Sequence, residues 1–100
     1  MNKISAIVLI GGNYDKGLLK KCLDSVSWCD EIVKVNTDNI KGGFPAWRNA
    51  GAEMAKGEWL FYVDTDEEVT QALKNMILQV IGSNEFAGYA IPRRNIFLGH

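Results

Sequence analysis

Four carboxylates fall within five residues, Asp64-Thr65-Asp66-Glu67-Glu68, directly after the apolar run Trp59-Leu-Phe-Tyr-Val63. Removing those four charges would turn the chain's net charge from −1 to +3, so negative charge is concentrated at this one place. Like charges this close repel, and a hard divalent cation with oxygen ligands relieves the repulsion. In an extended chain Asp64 and Asp66 share a side and Thr65 faces the other way. Asp64 and Asp66 are therefore the candidate metal ligands, and Glu67 and Glu68 read as solvated acids ahead of the next helix.

A second polar segment, Asn36-Thr-Asp-Asn39, follows Ile32-Val-Lys-Val35. Its amide and carboxylate groups, Asn36 and Asp38 above all, could accept from ribose hydroxyls or a base edge, with a plain Asx turn as the rival reading. Arg48 and Asn49 open the helix beyond that loop. Arg48 could meet a phosphate or a base carbonyl, or lie on the surface as any helical arginine does. Gly11-Gly12 matches neither a dinucleotide fingerprint nor a P-loop. Trp47, Trp59, Phe61 and Tyr62 read as core ahead of a stacking platform, and Arg93-Arg94 as a solvated pair ahead of a diphosphate contact.

The elements that must position these groups alternate. Ile4–Ile10 is a continuous apolar run, the mark of a strand covered on both faces. Asp15 can cap a helix whose stripe is Leu18, Leu19, Cys22, Leu23 and Val26. A second strand starts at Glu31, and residues 36–44 form a loop. Pro45 suits the first turn of a helix and Gly57 its stop. The third strand runs to Val63. Thr70 caps a last helix with the stripe Leu73, Met76, Ile77, Val80 and Ile81, ended by Gly82. A short edge strand is expected over 88–91, before Pro92. Such alternation predicts one α/β domain over 1–100, a mostly parallel sheet with helices on both faces. Ligands then bind beyond the carboxyl ends of the strands, at residues 11–15, 36–43 and 64–68.

Composition removes other classes. A chain of 100 residues with 47% hydrophobic and 23% charged residues suits one folded domain rather than a disordered chain. Its balanced charge argues against nucleic-acid binding driven by bulk charge. No apolar run approaches the roughly 20 residues of a transmembrane helix. Cys22 and Cys29 make no disulfide framework, and His100, the one histidine, offers no zinc set. A cytoplasmic location is expected.

Taken in order, Ile4–Ile10, Cys22-Leu-Asp-Ser-Val26, Asp30-Glu-Ile-Val33, Arg48-Asn-Ala-Gly51, Ala55-Lys-Gly-Glu-Trp59 and Phe61-Tyr-Val-Asp-Thr-Asp-Glu67 resemble the N-terminal half of a family-2 glycosyltransferase. The nearer likeness is to the bacterial subgroup that builds lipopolysaccharide core, where a segment like residues 88–99 follows. The resemblance implies a Rossmann-like GT-A three-layer sandwich, truncated, holding a nucleotide-diphospho-sugar (a UDP-sugar as working donor). It implies Mn²⁺ or Mg²⁺ as cofactor and inversion at the anomeric carbon. Asp66 then matches the metal-reaching carboxylate and Asp64 the one nearer the ribose. Arg48 and Asn49 match the nucleotide pocket.

Two departures from the family accompany the likeness. Asn36 stands where an Asp is usual, with Asp38 as a possible substitute, and the 36–47 loop is short. The acceptor half is missing, so no catalytic residue is assigned in this chain and the general base is expected beyond His100. The acceptor would be a glycan or lipid-linked sugar. Ile96, Phe97 and Leu98 are expected to pack against a second copy, a homo-oligomer, or to be poorly ordered. The alternative is a non-catalytic GT-A-like assembly or nucleotide-binding module. An aspartyl phosphotransferase of haloacid-dehalogenase type would want its D-x-D after the first strand.

Overall fold

The computed structural model describes residues 3–12, 14–83 and 94–97. In chain order the elements are β1 (Ile4–Ile10), α1 (Lys16–Ser25), β2 (Glu31–Asn36), α2 (Gly43–Met54), β3 (Trp59–Asp64), α3 (Gln71–Ser83) and β4 (Arg94–Phe97). The four strands form one parallel sheet in the order β2-β1-β3-β4. β1 is central, which is why its residues Ile4 to Leu9 are all buried. β2 lies at an edge and alternates, with Val33 and Val35 buried and Lys34 exposed.

Two apolar layers cover the sheet. On one face Ala6, Val8, Phe61 and Val63 meet Cys22 and Val26 from the α1 side and Ile77 and Ile81 of α3. On the other, Ile7, Leu9, Val33, Val35, Leu60 and Tyr62 meet Trp47, Ala50 and Ala52 of α2. The odd and even residues of β1 therefore serve different helices, as strand pleating requires. Gly51 sets the distance on the α2 face. A Cβ there would lie 2.5 Å from Ile7 Cγ2 and 3.3 Å from Val35 Cγ2.

Two caps follow expectation. The Asp15 carboxylate accepts from the Gly17 and Leu18 amides at 2.7 and 3.1 Å. The Thr70 hydroxyl accepts from the Leu73 amide at 3.1 Å.

Other expectations are corrected. α2 begins at Gly43, not Pro45, and ends at Met54. Gly57 is no helix stop. It approaches β1 so closely that a Cβ would sit 2.6 Å from Ser5 Oγ, and its amide donates to that oxygen at 2.8 Å. The 36–44 segment is not plain loop, since Thr37–Asn39 form a 3-10 turn. Along α3, Met76 and Val80 are exposed, because Ile77 and Ile81 with Leu73 already cover the sheet. Leu18 is likewise exposed on α1.

The expected strand at 88–91 lies outside the described residues. The strand that pairs with β3 is Arg94–Phe97, a segment without flanking turn signals, in register Phe61↔Ile96. Ile96 is half-buried and packs against the core of its own chain. Leu98 lies outside the described residues.

Candidate active site

The carboxyl ends of β1, β2 and β3 open into one cleft of about 980 Å³. Its wall is built by the loop after β1 (Gly11, Gly12, Tyr14), the turn after β2 (Thr37, Asp38) and the turn after β3 (Asp64, Thr65, Asp66). Phe44 and Trp47 of α2 close one side, and Leu18 of α1 with its cap Asp15 another. This is the position at which open parallel sheets receive ligands.

Two of these three segments, the loop after β1 and the turn after β2, are tied to one another. The Gly12 amide donates to Asp38 Oδ1 at 3.0 Å, and the Thr37 hydroxyl donates to the Ile10 carbonyl at 3.3 Å. Gly11 lies so close to Thr37 that an added Cβ would overlap its hydroxyl. Gly12 has φ +62, a left-handed conformation open to glycine at no cost.

After β3 the chain does not stay extended. The strand ends at Asp64, and a turn closes through the Glu67 amide, which donates to the Asp64 carbonyl at 3.1 Å. Strand alternation therefore stops applying after Asp64, and Thr65 lines the cleft together with Asp64 and Asp66 instead of facing away. Asp66 is exposed and Asp64 half-buried. Beneath them the buried Cys22 thiol donates to the Asp64 carbonyl at 3.3 Å. Burial, with the charges of Glu67, Asp64 and Asp66 adding to it, pushes that thiol up to about 11, so it keeps its proton at neutral pH.

Of the residues singled out by sequence, Asp38, Asp64 and Asp66 come together on this cleft. Asn36, Arg48 and Asn49 are not among its lining residues. Asn36 makes an Asx turn, its side-chain oxygen accepting from the Asp38 amide at 3.0 Å. It thereby orients the carboxylate that does face the cleft. Arg48 is half-buried on α2 and Asn49 is exposed.

Two aromatic residues, Tyr14 and Phe44, are additions to the sequence reading, and Trp47, expected in the core, also reaches the cleft. Tyr14 and Phe44 are exposed on the cleft wall, and Trp47 lines it while packing on the core beneath. Trp47 also donates through Nε1 to the Ile40 carbonyl at 3.1 Å. The signal for Tyr14 was available. It stands between Gly12 and the Asp15 cap, outside any apolar stripe, where a core role has no support.

Among the described residues no group of three or more His, Cys, Asp or Glu side chains comes together to hold a metal ion. The cleft offers hard oxygen donors from Asp64 and Asp66 only as a pair flanking Thr65. Two carboxylates completed by phosphate oxygens and water suit an ion that arrives with a phosphorylated ligand, not an all-protein cage.

A parallel sheet covered on both faces, with an acidic, aromatic-rimmed cleft beyond its strand ends, defines a Rossmann-like α/β domain of the GT-A kind. The sequence profile of glycosyl transferase family 2 matches residues 7–99, and the chain belongs to that family. It is similar to the lipopolysaccharide core biosynthesis glycosyltransferase LpsC of Rhizobium meliloti (strain 1021), at 27% identity over 110 aligned positions. That alignment covers 86% of this chain and 41% of the relative, so the chain spans about two fifths of the relative's length. No solved structure matches the chain. Among the described residues no helix is long and apolar enough to cross a membrane.

Proposed function

We propose that the cleft binds a nucleotide-diphospho-sugar, with a UDP-sugar as the working donor, for sugar transfer to a glycan or lipid-linked sugar of the lipopolysaccharide-core kind. The observation that supports this reading is the meeting of Asp38, Asp64 and Asp66, from two strand ends, on one cleft rimmed by Tyr14, Phe44 and Trp47.

In this reading Asp64, half-buried at the strand end, accepts from the ribose hydroxyls. Asp66, exposed at the lip, would hold Mn²⁺ or Mg²⁺ when the donor brings it. Asp38 takes the role that the family usually gives to an Asp at position 36. Bound there, the cation would neutralise charge growing on the departing diphosphate. Asp64 and Asp66 orient the donor, and the aromatic wall excludes water from one side of it. The acceptor hydroxyl attacks the anomeric carbon with inversion, and its proton goes to a base that we assign to no residue of this chain. Arg48 and Asn49 would reach a donor only if it extends beyond the cleft wall. Free thiols at Cys22 and Cys29 fit a reducing, cytoplasmic setting.

Titration calorimetry with UDP, with and without Mn²⁺, tests the assignment on the wild type and Asp66→Ala. Wild type should need Mn²⁺ for tight binding, and the variant should lose that dependence. Equal affinity in both proteins overturns the metal role. No UDP binding to wild type favours the non-catalytic assembly module.

A further inference from the structure

The sequence groups Glu67 with solvated acids ahead of α3; the structure ties it to Asp64. The Asp64 amide donates to Glu67 Oε1 at 3.0 Å, and the Glu67 amide donates back to the Asp64 carbonyl at 3.1 Å. The same carbonyl also accepts from the Cys22 thiol at 3.3 Å. Both backbone polar groups of Asp64 are thus held by Glu67: the side-chain bond is the one a capping-box Glu makes to an amide three residues back, and the return bond closes a backbone turn. Glu67 is half-buried and is not among the residues lining the cleft, whereas Asp64, Thr65 and Asp66 all are.

The geometry points to Glu67 as a positioning residue for the donor site: its side chain clamps the Asp64–Asp66 turn so that both aspartates face the cleft. The inference rests on the donor-site reading above. Its physical basis is the mutual repulsion of Asp64 and Asp66, which favours splaying the turn wherever nothing fixes the backbone between them. A turn held by one backbone hydrogen bond resists that poorly. A turn closed from both ends, and anchored from below by the Cys22 thiol, keeps the two carboxylates pre-arranged for a shared ion, and pre-arrangement of ligating groups is what strengthens such a site. The part played by Glu67 is to accept a hydrogen bond. A glutamine, which keeps the acceptor oxygen and drops the charge, should therefore do the same work.

The test compares wild type, Glu67→Gln and Glu67→Ala in two measurements. In ligand-free protein, NMR-detected hydrogen exchange at the Asp64 amide should quicken about tenfold or more in Glu67→Ala and stay near wild type in Glu67→Gln. In Mn²⁺–UDP titrations, affinity should fall about tenfold in Glu67→Ala and stay within about threefold of wild type in Glu67→Gln. An unchanged Asp64 exchange rate in Glu67→Ala overturns the clamp. A Glu67→Gln variant that binds as weakly as Glu67→Ala overturns it as well, because charge and not acceptance would then matter. Should Glu67→Ala not fold, the Glu67→Gln titration alone decides on the same criterion. Failure of wild type to bind Mn²⁺–UDP while exchange follows the expected pattern overturns the donor-site reading, and the role of Glu67 in it, but leaves the turn geometry standing.

Discussion

Asp38 Oδ1 accepts the Gly12 amide at 3.0 Å across 26 residues of sequence, so the loop after β1 and the turn after β2 behave as one wall of the cleft. The contact exists because Gly11 lets the two segments approach to a distance that a Cβ would forbid. Asn36 completes it by accepting the Asp38 amide and turning the carboxylate toward the loop.

Replacing Asp38 therefore tests a tether and a ligand contact together. Asp38→Ala should lower stability by only about 1 kcal/mol, because the bond is exposed. It should lower UDP affinity by about tenfold, through loss of an oriented acceptor and loosening of the Gly12 loop. Asp38→Asn, which keeps an acceptor oxygen for Gly12, should retain the stability measured by urea unfolding. Unaltered UDP binding in Asp38→Ala would remove this residue from the donor site.

Gly51 is fixed by packing and not by backbone conformation. In Gly51→Ala the new methyl would meet Ile7 Cγ2 at 2.5 Å, and the central strand leaves that side chain little room to retreat. A loss of about 1–3 kcal/mol in urea unfolding is expected, the cost of overfilling a packed interface. Stability within error of wild type would show that α2 can lift off the sheet freely.

At the opposite end of the sheet Ser5 is fully buried, its hydroxyl donating to Glu31 Oε1 at 2.7 Å and accepting from the Gly57 amide at 2.8 Å. Ser5→Ala strands that buried amide and should cost about 1–3 kcal/mol. Because the site is far from the strand ends that form the cleft, UDP affinity should not change. A drop in affinity at full occupancy of the folded state would contradict this separation.

Cys29 gives the protein an alkaline weakness. Burial, increased by the charge of Asp30 and partly offset by Lys74, pushes its thiol from 9.0 up to about 12. The unfolded chain therefore releases this proton at lower pH than the folded one. The stabilisation is complete below pH 9 and is lost as pH rises from about 9 toward about 12. Urea midpoints should fall across that range in wild type, and the slope should be shallower in Cys29→Ala. Identical slopes would assign the alkaline loss to other groups.

Local sequence determined much of this molecule. The apolar run Ala6–Ile10 suits a strand with a helix on each face, and Asp15 and Thr70 cap the helices that their chemistry predicts. Such features depend on neighbours within a turn or a strand, and the same holds for Asp64 and Asp66, placed at a strand end by five apolar residues before them. The residues around the cleft needed the assembled sheet. Asn36 and Asp38 are equal candidates in sequence; Asn36 caps a local turn, and only the approach of the Gly11–Gly12 loop makes Asp38 part of the cleft wall. Tyr14 and Phe44 line one cleft from elements that have no local reason to be adjacent, and Glu67 closes on Asp64 because the chain bends back at Thr65-Asp66. Periodicity and capping are decided over a few residues; which polar group faces a ligand is decided by segments that only the parallel pairing of β1, β2 and β3 brings into reach.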